Sequence, residues 1–294
     1  MNHFSISQLQ QFSGIKAHTI RIWEQRYNAL RPNRSEGNTR YYDGDQLRRL
    51  LNIVSLMDEH KVSELCAMRD NDLFDLIQKR LLVKRSENSS ADYFVSQLIA
   101  AGMEYDTAEF EKVFSACILR FGVKDSYTNV IYPLLNRVGL LWAGDVIPPG
   151  QEHFISNLIR KKLFSEIDKF PPANGKADTW LLFLPENEFH EIGLLLGYFL
   201  LRQAGKKVIY LGSSVPLQAL IDSVKQIDPS SLLLFFVHND LEEAYETYCK
   251  TLSRHFGKLN IYIAGPEKLA DHIKQAKGLR IIHTVEALEK LIKL

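Results

Sequence analysis

The sequence predicts a multidomain protein of α and α/β class, with a winged helix-turn-helix first, a four-helix bundle next, and a flavodoxin-like doubly wound parallel sheet last. Three observations carry this. Helical apolar spacing is interrupted at Gly14 and then gives way to a basic stretch punctuated by Pro32, Asn33, Gly37 and Asn38. Helical spacing alone fills residues 93–169. From Thr179 onward, near-continuous apolar runs alternate with amphipathic segments.

With 294 residues the chain has length for two or three domains, each with its own core. Its net charge of +1, with 24% charged and 46% hydrophobic residues, describes an ordinary soluble protein and excludes a long acidic or basic tail. A charged partner must therefore be met by a local patch. Cys66, Cys117 and Cys249 lie far apart without C-x-x-C spacing, which points away from a disulfide framework or a cysteine-rich metal site and fits a reducing cytosol. The N-terminal "MNHFSISQLQ" has no apolar h-region, and no run approaches the roughly 18 apolar residues of a membrane span. A cytoplasmic protein without a membrane partner is expected. The polar stretches "KRSENSSAD" (84–92) and "FPPANGKAD" (170–178) read as hinges, dividing the chain into 1–84, 93–169 and 178–294.

In the first block, Ser5 or Ser7 is placed to cap a helix that stops at Gly14, and a second short helix follows. Ile6, Leu9, Phe12, Ile15, Ile20, Trp23 and Tyr27 recur at helical spacing as a small core, which leaves Lys16, His18, Thr19, Arg21 and Arg26 largely outside it. This is the grammar of a helix-turn-helix whose second helix offers polar and basic groups to a major groove. "LRPNRSEGNTRYY" reads as a hairpin wing with Arg31, Arg34 and Arg40, ending at Tyr41. Asp43 then caps the helix "DQLRRLLNIVSLMDEH". Residues 14–42 hold six Lys/Arg against two Asp/Glu, a local excess suited to the phosphates of double-stranded DNA. Taken singly, such arginines also describe a solvated helical face. The order "TIRIWEQRY", "LRPNRSEGNTRYY", helix resembles the MerR family of winged-helix transcription regulators over residues 4–69. The resemblance implies major-groove contacts from Arg21 and Arg26, and wing contacts to promoter DNA from Arg34 and Arg40. Many members dimerise through a long helix directly after this head. Here the helical run from Asp72 to Lys84 is short, so oligomerisation is expected to depend on the following domains.

The middle block has Thr107, Asp125 and Pro149 at helix starts. In "LLWAGDVIPPGQEHF", Trp142 is followed by nine residues and then Glu152-His153. A Pro-Pro-Gly turn between them can bring these side chains to one rim of the bundle. The bland reading is a core tryptophan and a helical first turn that favours an acid.

In the third block the strands are "TWLLFLP", "KKVIYLG", "SLLLFFV", "NIYIAG" and "LRIIHTV", with helices between them from Pro216 and Leu241 among others. Such sheets bind ligands beyond the carboxyl ends of their strands. His190 lies beyond the end of the first. On the residues alone it is either a ligand or an ordinary loop histidine.

The pattern Glu188-x-His190-x-x-Gly193 resembles the D-x-H-x-x-G motif of cobalamin-binding domains, with Glu in place of Asp. The resemblance implies that His190 ligates cobalt and that the acid orients its imidazole, roles that fit the coordination chemistry of these groups. The Trp142-x9-Glu152-His153 spacing is similar to that of the CarH/LitR-type light-responsive adenosylcobalamin regulators, in which the bundle covers the upper face of the cofactor. All three blocks stand in that family's order, which implies a DNA-binding regulator whose ligand controls oligomerisation and, through light, promoter binding. Three departures bear on this. Where the family has S-x-L lining the pocket for the nucleotide tail, this chain has Phe235-Phe236-Val237, and the later G-G is Ala264-Gly265. Ala143 stands where light-responsive members place a second histidine, so a stable bis-histidine lit state is not expected. Two other classes remain: a methylcobalamin-carrying methyl-transfer module, against which the DNA-binding head and the lack of a substrate module weigh, and a cobalamin-free regulator that binds a protein partner. No enzymatic activity is expected.

Overall fold

Helix α1 (Ile6–Ser13) begins at a reciprocal cap in the computed structural model: Gln8 N donates to Ser5 Oγ at 3.2 Å and Ser5 N donates to Gln8 Oε1 at 2.7 Å. Ser5 rather than Ser7 is therefore the cap. The structure describes residues 4–13, 15–34, 40–57, 60–73, 75–76, 87–143, 147–173, 178–236, 242–265 and 278–292. It falls into two units, Met1–Leu158 and Ile159–Leu294, and the helix Pro149–Ile167 runs across the division.

In the first unit, α2 (Ala17–Tyr27) ends at Asn28, whose left-handed φ of 51° stops the helix. Strands β1 (Asn33–Arg34) and β2 (Arg40–Tyr41) pair antiparallel, Arg34 opposite Arg40, which is the expected wing. The expected helix stop at Gly14 and the wing tip at Gly37 and Asn38 lie outside the described residues. Asp43 caps α3 (Gly44–Leu56) by accepting from Gln46 N at 3.0 Å. Leu9, Phe12, Ile20 and Trp23 are buried as expected, and Phe4, Tyr42, Leu47 and Leu50 join them. Arg49 of α3 donates to the carbonyls of Ala29, Cys66 and Met68 and pairs with Asp70, fastening α4 (Val62–Ala67) beneath the head. Beyond it residues 70–73 and 75–76 are helical, and the rest of the run to Lys84 lies outside the described residues.

The stretch 84–92, expected as a hinge, is helical from Glu87, where α5 (Glu87–Met103) begins. Its polarity misled: Ser90 is buried and accepts from Arg120 Nη2 at 3.1 Å. Gln97 of α5 donates to Asn52 of α3 at 2.9 Å, buried on both sides. Helix α6 (Thr107–Ser126) is capped by Asp106. The helix start expected at Asp125 lies instead at a break three residues earlier, where Gly122 has φ 76° and ψ 170°, a conformation open to glycine. A π-helical turn (Tyr127–Ile131) then leads into α7 (Tyr132–Ala143), and α8 (Pro149–Ile167) starts at the expected proline. Four helical rods result, with Gly122 dividing the second from the third. Gly102 of α5 faces Ile155 of α8 at a distance that leaves no room for a Cβ.

In the second unit, β3 (Thr179–Pro185), β4 (Lys207–Val215), β5 (Ser231–Phe235), β6 (Asn260–Ala264) and β7 (Leu279–Ile282) form one parallel sheet in the order β4-β3-β5-β6-β7. The reversal of order between β3 and β5 is the expected flavodoxin-like topology. Leu181 pairs with Ile209 on one side and Leu232 on the other, and β3 is buried over most of its length. Helices α9 (Ile192–Gln203) and α12 (Val285–Ile292) cover one face. Helices α10 (Leu217–Ile227) and α11 (Glu242–Phe256) cover the other, around Leu181, Phe183, Leu232, Leu234 and Ile263. Leu241 and the segment after β6 lie outside the described residues, as do residues 174–177 of the second expected hinge.

Candidate functional site

The basic residues predicted on the head sit where a groove could reach them. Lys16 is exposed just before α2, His18, Arg21 and Arg26 are exposed on it, Thr19 and Tyr27 are half-buried beside them, and Arg34 is exposed on β1. Arg40 and Tyr41 on β2 are half-buried. One acid in this basic patch escaped sequence reasoning. Glu24, buried on the inner side of α2, accepts a hydrogen bond from the Tyr42 hydroxyl at 2.5 Å and lies 3.8 Å from Arg40 Nε. Burial, then the Glu24 bond, pushes the Tyr42 phenol well above its usual range. A single carboxylate thus joins recognition helix to wing.

In the bundle, Glu152 and His153 occupy the first turn of α8. His153 Nδ1 lies 3.0 Å from one Glu152 oxygen, and Ser156 donates to the other at 2.6 Å. The backbone of Trp142 ends α7, with its side chain outside the described residues, as is the turn at 144–146.

His190 follows β3, on the strand edge where the sheet order reverses. Parallel strands end together at their carboxyl edges, so the β3 exit loop opens there. Pro185 O accepts from Glu188 N at 3.0 Å, and Ser214 N at the end of β4 donates to Glu188 O at 3.0 Å, which ties the loop to its neighbour. Within it, Glu188 Oε1 accepts from Phe189 N at 2.9 Å, His190 N at 3.0 Å and His190 Nδ1 at 2.7 Å. The Glu188 side chain is 7% exposed and that of His190 50%. A carboxylate only accepts, so Nδ1 carries the proton and Nε2 is the nitrogen that would meet a metal. This donor set fits cobalt ligation: an oriented, basic imidazole on an open edge. Gly193 begins the second residue of α9, and Gly265 follows β6 with its N–H on Ile282 O at 3.2 Å.

The next residue, Glu191, was also missed. It is buried, pairs with Arg160 Nη1 of α8, and accepts from the Tyr210 hydroxyl of β4 at 2.6 Å. Phe235 ends β5 on the α9 face, where its ring stands 3.8 Å from the place of a Cβ on Gly197. Phe236 turns to the opposite core and meets Tyr248 edge to face. Among the described residues no group of three or more His, Cys, Asp or Glu could hold a metal on protein ligands alone. None of the described helices is long and apolar enough to cross a membrane.

Comparison with known proteins bears on both sites. Residues 4–63 match the MerR HTH family regulatory protein model, and residues 95–164 match the B12 binding domain model. The chain is 25% identical over 287 residues to the HTH-type transcriptional repressor CarH of Myxococcus xanthus, covering 93% of this chain and 95% of that one. It is 25% identical over 261 residues to the repressor CarA of the same organism, covering 88% and 85%. The monomethylamine corrinoid protein of Methanosarcina barkeri superposes on 66% of this chain and 94% of its own with a TM-score of 0.52 at 16% identity, a likeness of fold. The chain is a transcriptional regulator that joins a MerR HTH domain to a B12-binding domain, homologous across most of its length to the CarH and CarA repressors.

Proposed function

We propose that the chain is a cytoplasmic, one-component regulator in which adenosylcobalamin, held through His190, sets the oligomeric state and so the grip of the head on promoter DNA. Its parts are a head at 1–84, a cap at 93–169 and a cofactor-binding domain at 178–294. The observation that carries it is the Glu188–His190 pair: a buried acid 2.7 Å from Nδ1 of a half-exposed histidine at the sheet's switch point. Cobalamin would supply cobalt and a light-sensitive bond to its upper substituent.

The protein's own groups divide the work. Glu188 holds the Nδ1 proton, fixes the ring and raises the basicity of Nε2. Gly193 and Gly265 border the loop edge without side-chain bulk, while Trp142, Glu152 and His153 are the groups that would cover the adenosyl side. Lys16, His18, Thr19, Arg21, Arg26 and Tyr27 would face the major groove, with Arg34, Arg40 and Tyr41 on the flanking backbone. The names of the two relatives support repression as the output. The ligand shifts the assembly only by binding one state better than another.

The test is to mix apoprotein with adenosylcobalamin in the dark, then record the visible spectrum and elution volume before and after green light, with His190→Ala alongside. A histidine-ligated spectrum lost in the variant, and an assembly that changes on illumination, is the expected result. Colourless protein eluting unchanged would overturn it. Phe235 favours a second reading, a cobalamin-free regulator answering to a protein partner, because its ring adds bulk where the cobalamin-binding pattern that the sequence resembles has a serine.

A further inference from the structure

We infer that Glu191 is a positioning residue for His190: it anchors the ligand loop to α8 through Arg160 and to β4 through Tyr210, and so sets where the imidazole stands. The inference rests on the proposed ligand role of His190.

An acid at the start of a helix ordinarily turns back to cap the first N–H groups. Glu191 makes no such cap. Its carboxylate is buried instead, with Arg160 Nη1 on Oε1 at 2.5 Å and the Tyr210 hydroxyl on Oε2 at 2.6 Å. The Tyr210 partner is itself fixed. Tyr210 stacks on Tyr198 of α9, with ring planes 14° apart and centroids at 5.3 Å, and it meets Phe164 of α8 edge to face at 5.9 Å. Burial, then the bond to Glu191, drives the Tyr210 phenol far above its ordinary range, so the donor keeps its proton.

Burying a carboxylate is costly unless both oxygens are held, and a fully held one permits few alternative arrangements. This one stands a single peptide from His190. Glu188 and Glu191 therefore do different things: the first fixes the rotation of the ring, the second fixes the backbone that carries it. Arg160 shares α8 with Glu152 and His153, which lie eight and seven residues before it.

The test titrates full-length wild type, His190→Ala, Glu191→Gln and Arg160→Met with diaquocobinamide, a corrinoid that has no nucleotide tail to be hindered by Phe235, and follows imidazole ligation in the visible spectrum. Glu191→Gln should lower the imidazole coordination constant about tenfold, as loss of a ligand's supporting contacts does, while circular dichroism stays that of the wild type. Arg160→Met, which leaves the carboxylate in place, should move the constant in the same direction and decides the matter if Glu191→Gln does not fold. Coordination as tight as wild type in the folded variants would overturn the role of Glu191 and leave that of His190 standing. A wild type whose spectrum shows no His190-dependent change would overturn both.

Discussion

The Tyr42 hydroxyl, at the foot of the wing, donates to Glu24 on the inner side of the recognition helix at 2.5 Å, with both groups buried. Removing the donor leaves a buried carboxylate short of a partner, so Tyr42→Phe should cost about 1–3 kcal/mol in a urea or thermal melt. The phenol's raised folded pKa adds a pH signature. Its stabilising contribution is full below the unfolded value of about 10 and fades as pH rises through the folded value. The gap between wild type and Tyr42→Phe should therefore be level from neutral pH to about 9 and narrow above 10.

DNA affinity should depend on the exposed arginines in proportion to the phosphates they neutralise. Arg21→Ala, Arg26→Ala and Arg34→Ala change no buried group, so their melts should match wild type. Each that touches a phosphate should reduce the slope of log affinity against log salt by about 0.9. Fluorescence anisotropy with duplex DNA across a salt series gives the slopes. An unchanged slope removes that residue from the interface.

Gly102 and Ile155 mark a tight helix crossing in the bundle. A Cβ on Gly102 would sit 2.5 Å from Ile155 Cδ1 and 2.6 Å from Cγ1, and Ile155 is fully buried with nowhere to retreat. Gly102→Ala should therefore destabilise by about 1–3 kcal/mol, despite alanine's better helix propensity. A thermal melt showing stabilisation would mean the two helices separate readily.

Glu104 stands over Gly44 with Oε1 buried and no hydrogen-bond partner among the described residues. Burial raises its pKa, Arg48 opposes the shift, and Asp45 and Asp43 add to it. A raised folded pKa means that stability is present below the unfolded value of about 4.3 and is lost as pH rises through the folded one. Glu104→Gln lacks that loss, so its denaturation midpoint should gain on wild type between pH 4 and pH 7. A constant offset would show that the carboxyl is hydrated.

The ring of Phe235 can be tested by subtraction. If it hinders a nucleotide tail, Phe235→Ser should tighten adenosylcobalamin binding while leaving tail-less cobinamide nearly unchanged. Equal effects on both would place Phe235 outside the tail's path.

What the sequence made legible was local. The Ser5 and Asp43 caps, the paired wing and the Pro149 start depend on residues within a few positions of one another, and the alternation after Thr179 encodes a parallel sheet directly. The motif pair Glu188 and His190 is local too, two residues apart, and meets as the resemblance implied. Glu24 and Glu191 were not legible because their partners are distant: Tyr42 lies 18 residues from Glu24, and Arg160 lies 31 from Glu191. A lone acid in an amphipathic pattern looks like a solvated face. Ser90 misled for the same reason, since polarity marks it as surface until Arg120 arrives from elsewhere in the fold.

The buried amide pair of Asn52 and Gln97 joins α3 of the head to α5 of the bundle at a single alignment. Two apolar helices can slide or roll against each other at little expense, whereas two buried amides meet in one alignment or forfeit their bond. The reading head is therefore indexed to the bundle like a key cut to a fixed bitting. Within one chain, the angle at which the recognition helix is offered is set by that alignment.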